Sequence, residues 1–172
     1  LSGILFSLIL NYKPHLGLLA LVALLVGRHW KALGAVIGST ATLMLASASV
    51  FGLETWIAFY RNINYAYSQL ETNANFWPRM PTVFAAVRLQ GGDVWLATVL
   101  QCIISGGAII LVCLVWRRNY PLAVRGSVLV LGTLLCSPHA FEYDLTLLVL
   151  PLAWFAWKNL QNNWRTLGGL LV

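Results

Sequence analysis

Charge is what this sequence has least of, and negative charge least of all. Asp and Glu together number 5 in 172 residues, and all charged residues make up 9%, against roughly a quarter in an ordinary soluble domain. So few charges cannot clothe a water-exposed surface. With 59% hydrophobic residues and a mean hydropathy of +0.77, the composition is that of an integral membrane protein. Also absent are a glycine-rich phosphate loop, Cys or His pairs at zinc-ligand spacing, and a heptad array. These absences exclude a soluble nucleotide-binding domain and leave no metal or cofactor site to expect. Cys102, Cys113 and Cys136 fall inside apolar runs as small packing residues and do not report a redox compartment.

Lys and Arg number 11, for a net charge of +6. Such a balance is compatible with nucleic-acid binding, but here the cations sit in short clusters between apolar runs: Gly27-Arg28-His29-Trp30-Lys31, then Arg117-Arg118-Asn119-Tyr120-Pro121 with Arg125, then residues 158–165. That is the pattern of cytoplasmic loops under the positive-inside rule, so the expected partner is the bilayer and not nucleic acid. Segments of mixed charge alternate with these clusters and are expected outside the cytoplasm, the longer being residues 53–92. The fold expected is all-α: a polytopic transmembrane helical bundle forming one integral membrane domain over residues 1–172. Because residue 1 is a leucine within an apolar run and the chain stops in another, it is expected to be the C-terminal portion of a longer protein.

One stretch concentrates the chemistry. Ser137-Pro138-His139-Ala140-Phe141-Glu142-Tyr143-Asp144 places an imidazole, two carboxylates and a phenol between apolar runs at residues 122–136 and 145–157. At 1.5 Å per residue each run reaches roughly 20 Å, short of a hydrocarbon core ~30 Å thick. The connecting segment is therefore expected to line a recess below the membrane surface; an ordinary boundary loop is the alternative. Ionisable groups at such depth are costly unless paired or wetted, which marks them as a candidate site. Asp144 also stands where a helix N-cap would.

Near the start, Asn11-Tyr12-Lys13-Pro14-His15 separates two runs, each too short to span. Either one helix kinks at Pro14 or two half-length helices meet there. Lys13 is held near the hydrocarbon in both cases, to snorkel or to bind an anion. Residues 33–50, rich in Gly, Ala, Ser and Thr, are expected to pack inside the bundle. Trp56, Tyr60, Ile63, Tyr67 and Leu70 recur at helical spacing, which predicts an amphipathic helix along the membrane surface. Beyond two prolines, Thr82 is positioned to cap a short helix over 83–89 that ends at Gly91-Gly92. Arg79 and Arg88 flank it, free to bind phosphate or to pair with headgroups, Glu71 or Asp93. Residues 94–116 form a full-length span.

Lys13-Pro14-His15 before an apolar run ending in Gly27-Arg28-His29-Trp30-Lys31, Phe51-Gly52 with Trp56, Met80-Pro81-Thr82 through Arg88, and Ser137-Pro138-His139 with Tyr143-Asp144 follow one another in order. In this the chain resembles glycosyltransferase family 87, DUF2029-type polytopic proteins that include polyprenol-phosphate-mannose-dependent mannosyltransferases of the GT-C fold. The resemblance implies transfer of a hexose, mannose foremost, from a polyprenyl-phosphate donor to a glycan or glycolipid acceptor on the extracytoplasmic face of a bacterial plasma membrane, without metal. It places the principal catalytic aspartate upstream of Leu1. Glycosyl transfer needs a carboxylate for the acceptor proton and cations for the departing phosphate. Lys13, Arg79 and Arg88 are the candidates for phosphate, with His15 beside Lys13 in the matching motif. His139 is a candidate for phosphate or sugar hydroxyls, and Glu142 or Asp144 for orienting the acceptor or holding the cations. A transporter or channel subunit built on broken helices and a non-catalytic membrane scaffold are the competing classes.

Overall fold

The computed structural model describes residues 13–169, apart from the side chains of Pro14, His15, Ala66 and residues 161–169. The first apolar run and Asn11-Tyr12 lie outside the described residues, as does the side chain of His15. Every regular element described is helical: α1 (Pro14–Val26), α2 (Trp30–Phe51), α3 (Leu53–Thr72), a 3-10 turn (Trp77–Arg79), α4 (Val83–Leu89), α5 (Val94–Arg117), α6 (Leu122–Cys136), a second 3-10 segment (Glu142–Leu148) and α7 (Val149–Gly169).

Lys13 has φ −138° and ψ 86°, and Pro14 opens α1. Proline suits a first helical position because the amide it lacks has no partner there. Lys13 itself is not helical, and the helix starts at Pro14.

The core forms where α1, α5 and α6 meet, around Leu19, Ala23, Leu24, Val112, Trp116 and Leu129. Gly132 sits at the tightest point, where an added Cβ would lie 2.7 Å from Val112 Cγ2 and 3.1 Å from Leu19 Cδ2. Its missing side chain lets the three helices close. Contacts at both ends fix the directions: Gln101 reaches Leu135 and Trp116 reaches Arg125, so α5 and α6 are antiparallel. α1 runs alongside α5.

At 22 and 24 residues, α2 and α5 are long and apolar enough to cross a membrane, roughly 33 and 36 Å at 1.5 Å per residue. They also turn apolar side chains outward: Leu45 is 71% exposed and Val50 74% on α2, Ile103 63% on α5. A soluble core helix does the reverse, whereas lipid accepts such a face. The expectation that α2 packs inside the bundle is corrected here. Only Val36 of α2 is buried, and Gly34 and Gly38 have nothing within 4 Å of an added Cβ. Small residues permit close approach, but close approach occurs only where a neighbour's shape meets them, as at Gly132.

Two further expectations change at the C-terminal end. Residues 158–165 are no turn, because α7 continues unbroken to Gly169; Asn and Gln among the cations do not stop a helix as Gly or Pro would. The apolar run after Asp144 starts as 3-10 and becomes α-helical only at Val149. The α4 expectation holds: Thr82 Oγ1 accepts from Ala85 N–H at 3.1 Å, and Gly91 adopts φ 84° beyond the helix end. α3 forms as a helix with Trp56, Ile63 and Leu70 half-buried, while Tyr60 and Tyr67 are exposed.

Candidate functional site

The site lies where α1 begins and α6 ends, well inside the length of α5. Gln101 Nε2 donates to Leu135 O at 2.8 Å, and Ser105 Oγ donates to Cys136 O at 3.3 Å. These are terminal carbonyls of α6, which no further helical turn can satisfy. Gln101 and Ser105 stand 7 and 11 residues past Val94, so α6 stops about 10–16 Å below the start of α5 at 1.5 Å per residue. The same glutamine accepts from Phe84 N–H at 3.1 Å, which docks the N-terminus of α4 at that depth. Gln101 is 4% exposed and also donates to Ser105 Oγ at 3.1 Å, three polar contacts from one buried amide.

Onto this floor the segment after α6 folds back. Lys13 Nζ donates to Asp144 Oδ1 at 2.6 Å, with the lysine side chain 16% and the aspartate 5% exposed. Asp144 Oδ2 accepts from Phe141 N–H at 2.9 Å, and Phe141 O accepts from Asp144 N–H at 2.9 Å. Asp144 therefore does not cap α7. It closes the first turn of the 3-10 segment and anchors the lysine across 131 residues of sequence. The ammonium also lies 4.0 Å from the ring centroid of Tyr143, which stacks on Phe141 at 5.7 Å. Lys13 immediately precedes the first turn of α1.

The remaining candidates divide into those the fold gathers and those it keeps apart. Arg79 donates through Nε and Nη2 to Glu142 Oε1 at 3.0 and 2.9 Å, both side chains more than half exposed. Phe76 meets Phe141 edge-on beside this pair. Arg79, Glu142, Lys13 and Asp144 thus form two ion pairs on one short segment, the first exposed and the second buried. Arg88 is held elsewhere: Nη1 donates to Gly92 O at 2.8 Å and the guanidinium lies 4.5 Å from the Trp77 ring. It fastens the end of α4, and neither Glu71 nor Asp93 is its partner.

His139 lies between the rings of Tyr67 and Phe84, at centroid distances of 5.7 and 5.6 Å. It borders a cavity of about 290 Å³ with Glu71, Thr98, Gln101 and Ser105. Glu71, Gln101 and Ser105 escaped the sequence reading as site residues. A glutamine four residues before a serine inside an apolar span was the available signal for two of them. A second cavity of about 420 Å³ is apolar and runs between α1, α6 and α7, lined by Leu16, Ala20, Gly126, Val130, Leu150 and Trp154. Leu147, also on its wall, is three residues from Asp144, and Leu16 is three from Lys13. One end of the groove therefore adjoins the buried ion pair.

Neither a curated protein nor a solved structure matches this chain. The model of glycosyltransferase family 87 matches residues 1–138. That interval holds Lys13, His15, Arg79, Arg88 and the α5 floor, and ends just before His139, Glu142 and Asp144. By a match over most of its length, the chain belongs to glycosyltransferase family 87, a family of membrane glycosyltransferases.

Proposed function

We propose that the chain takes a hexose, mannose foremost, from a polyprenyl-phosphate donor and passes it to a glycan or glycolipid acceptor at the recess above Gln101. The setting is a multi-pass protein of the bacterial plasma membrane, with the recess and residues 53–92 on the extracytoplasmic side. The observation that carries this reading is the Lys13–Asp144 pair where α1 starts and α6 stops, at one end of an apolar groove. A donor of this class has two parts with opposite needs. Its chain seeks apolar cover inside the membrane, and its phosphate seeks cations at the edge.

Lys13 is already ordered by Asp144 and Tyr143, so little side-chain entropy remains to be lost when its ammonium meets a phosphate oxygen. Arg79 reaches the same phosphate by exchanging Glu142 for it, since a guanidinium fork suits either oxyanion. Together they stabilise the negative charge that grows on phosphate as the glycosyl bond breaks. His139, on the cavity side of the segment, serves the sugar hydroxyls or the acceptor, and Glu142 is freed to orient it. Asp144 positions Lys13 and stays out of the chemistry. Arg88 serves the fold of α4 instead of the donor, and the part of His15 rests on the family motif alone.

The test is donor class. Full-length protein in membrane vesicles is offered labelled polyprenyl-phosphate-mannose, polyprenyl-phosphate-glucose or a nucleotide sugar, and product glycolipid and glycan are counted. Label from a polyprenyl-phosphate hexose alone is expected. Transfer directly from the nucleotide sugar, or uptake of free sugar without transfer, would replace this reading with another donor or with a transporter.

A further inference from the structure

At the opposite end of the bundle, Arg125 has no carboxylate partner among the described residues. Arg125 of α6 points Nη1 at His29 Nε2, 3.3 Å away, and its guanidinium carbon is 5.5 Å from the Trp116 ring. Trp116 donates Nε1–H to Arg125 O at 3.1 Å and meets His29 edge-on at 5.9 Å. The corner is tightly packed: a Cβ on Gly27 would come within 2.9 Å of His29 Cδ2 and 3.2 Å of Trp116 Cε3. Arg125 is half-buried, and its Nε is closed off from solvent with no acceptor. Arg28 and Arg117 adjoin His29 and Trp116 directly in sequence, adding to the same corner.

The five carboxylates of the chain are Glu54, Glu71, Asp93, Glu142 and Asp144. Glu54 lies beyond the far end of α2, and the other four lie at the end of the bundle where α5 begins and α6 ends. An imidazole supplies no negative charge to a guanidinium, and an indole face offers only a weak counter-charge. A partly desolvated guanidinium is unfavourable without an anion, and none of these five carboxylates lies at the corner.

We propose that this corner binds the phosphate of an anionic phospholipid from the leaflet at the basic end. A lipid fits better than a soluble anion because an apolar side chain lies exposed on the Arg125 face of α6, where Leu122, three residues earlier, is 72% exposed. Acyl chains cover it while the phosphate sits at Arg125, with Arg28 and Arg117 as outer cations. Basic pockets between membrane helices recognise headgroups in this way. The site is remote from the ion pairs described above and does not depend on the donor assignment.

Full-length protein is reconstituted in nanodiscs of phosphatidylcholine, of phosphatidylcholine with phosphatidylglycerol, or of phosphatidylcholine with inorganic phosphate added. Lipid retained through native mass spectrometry and the thermal midpoint are both read. Wild type is expected to retain phosphatidylglycerol preferentially and to melt higher with it. Arg125→Gln is expected to lose at least tenfold of that preference, Arg125→Lys to lose less, and Lys158→Gln to match wild type. Equal retention of both lipids by wild type, or unchanged preference in Arg125→Gln, would overturn the proposal. A midpoint raised as much by inorganic phosphate as by phosphatidylglycerol would assign the corner to a soluble anion instead. If Arg125→Gln does not fold, Arg125→Lys together with His29→Gln decides, with no loss in either counting against the site.

Discussion

Removing either member of the Lys13–Asp144 pair should damage the protein more than removing both. In Asp144→Leu the ammonium keeps only its 16% exposure and loses its counter-charge. Breaking a buried pair from one side costs about 3–5 kcal/mol, and the flexible lysine stem, able to snorkel, keeps the value near the lower end. The Phe141 amide also loses the acceptor it has at 2.9 Å, worth about 1 kcal/mol more. In Lys13→Met the carboxylate, 5% exposed, still accepts from Phe141 but has lost its counter-charge, so about 3 kcal/mol is expected. In the double variant no unpaired charge remains, and the loss should shrink to about 1–2 kcal/mol, chiefly the unmet amide. The coupling in the cycle is then several kcal/mol, read by reversible denaturant unfolding of the four proteins in bicelles. Single losses that simply add, within about 0.5 kcal/mol, would show that the two groups do not form one unit and refute the reasoning.

Gln101→Leu should destabilise by about 2–4 kcal/mol, because the Phe84 amide and the Leu135 carbonyl lose a shared partner in a dry setting; protease nicking between α3 and α5 is expected to rise with it, and an unchanged midpoint would mean water reaches both groups. Gly132→Ala should cost about 1–3 kcal/mol through overpacking against Val112, and adding Val112→Ala should recover part of that loss; equal melting of wild type and Gly132→Ala would deny the close crossing. Arg79→Gln should change stability by less than about 1 kcal/mol, since its pair with Glu142 is exposed, while cutting transfer at least tenfold.

Much of this architecture could be read from local signals in the sequence. Thr82 and Gly91 bound α4 as expected because a side-chain cap and a left-handed residue act within one turn. The 94–116 span follows from apolar length, whereas Pro14 is compatible with a kink or with a helix start, and the sequence leaves both open. Partners across the fold were less legible. That Asp144 answers Lys13, and Glu142 answers Arg79, depends on the 3-10 path after Ala140, and a sequence does not reveal which way such a segment turns. Gln101 is not legible in the sequence, because one amide in an apolar span stands out only when the ends of α4 and α6 meet it. α2 misled for the opposite reason: its small residues resemble those at a helix crossing, but no described neighbour crosses it there.

The most direct test of a phosphate-binding recess is the rate at which full-length protein, reconstituted in vesicles, transfers label from polyprenyl-phosphate-mannose, compared among wild type, Lys13→Met/Asp144→Leu and Lys158→Gln. The double variant removes the cation without leaving a charge unpaired, so it inserts and folds with a loss of only about 1–2 kcal/mol yet is expected to lose at least a hundredfold in transfer, while Lys158→Gln retains it. Transfer by the folded double variant at the wild-type rate would contradict the assignment of the donor phosphate to Lys13.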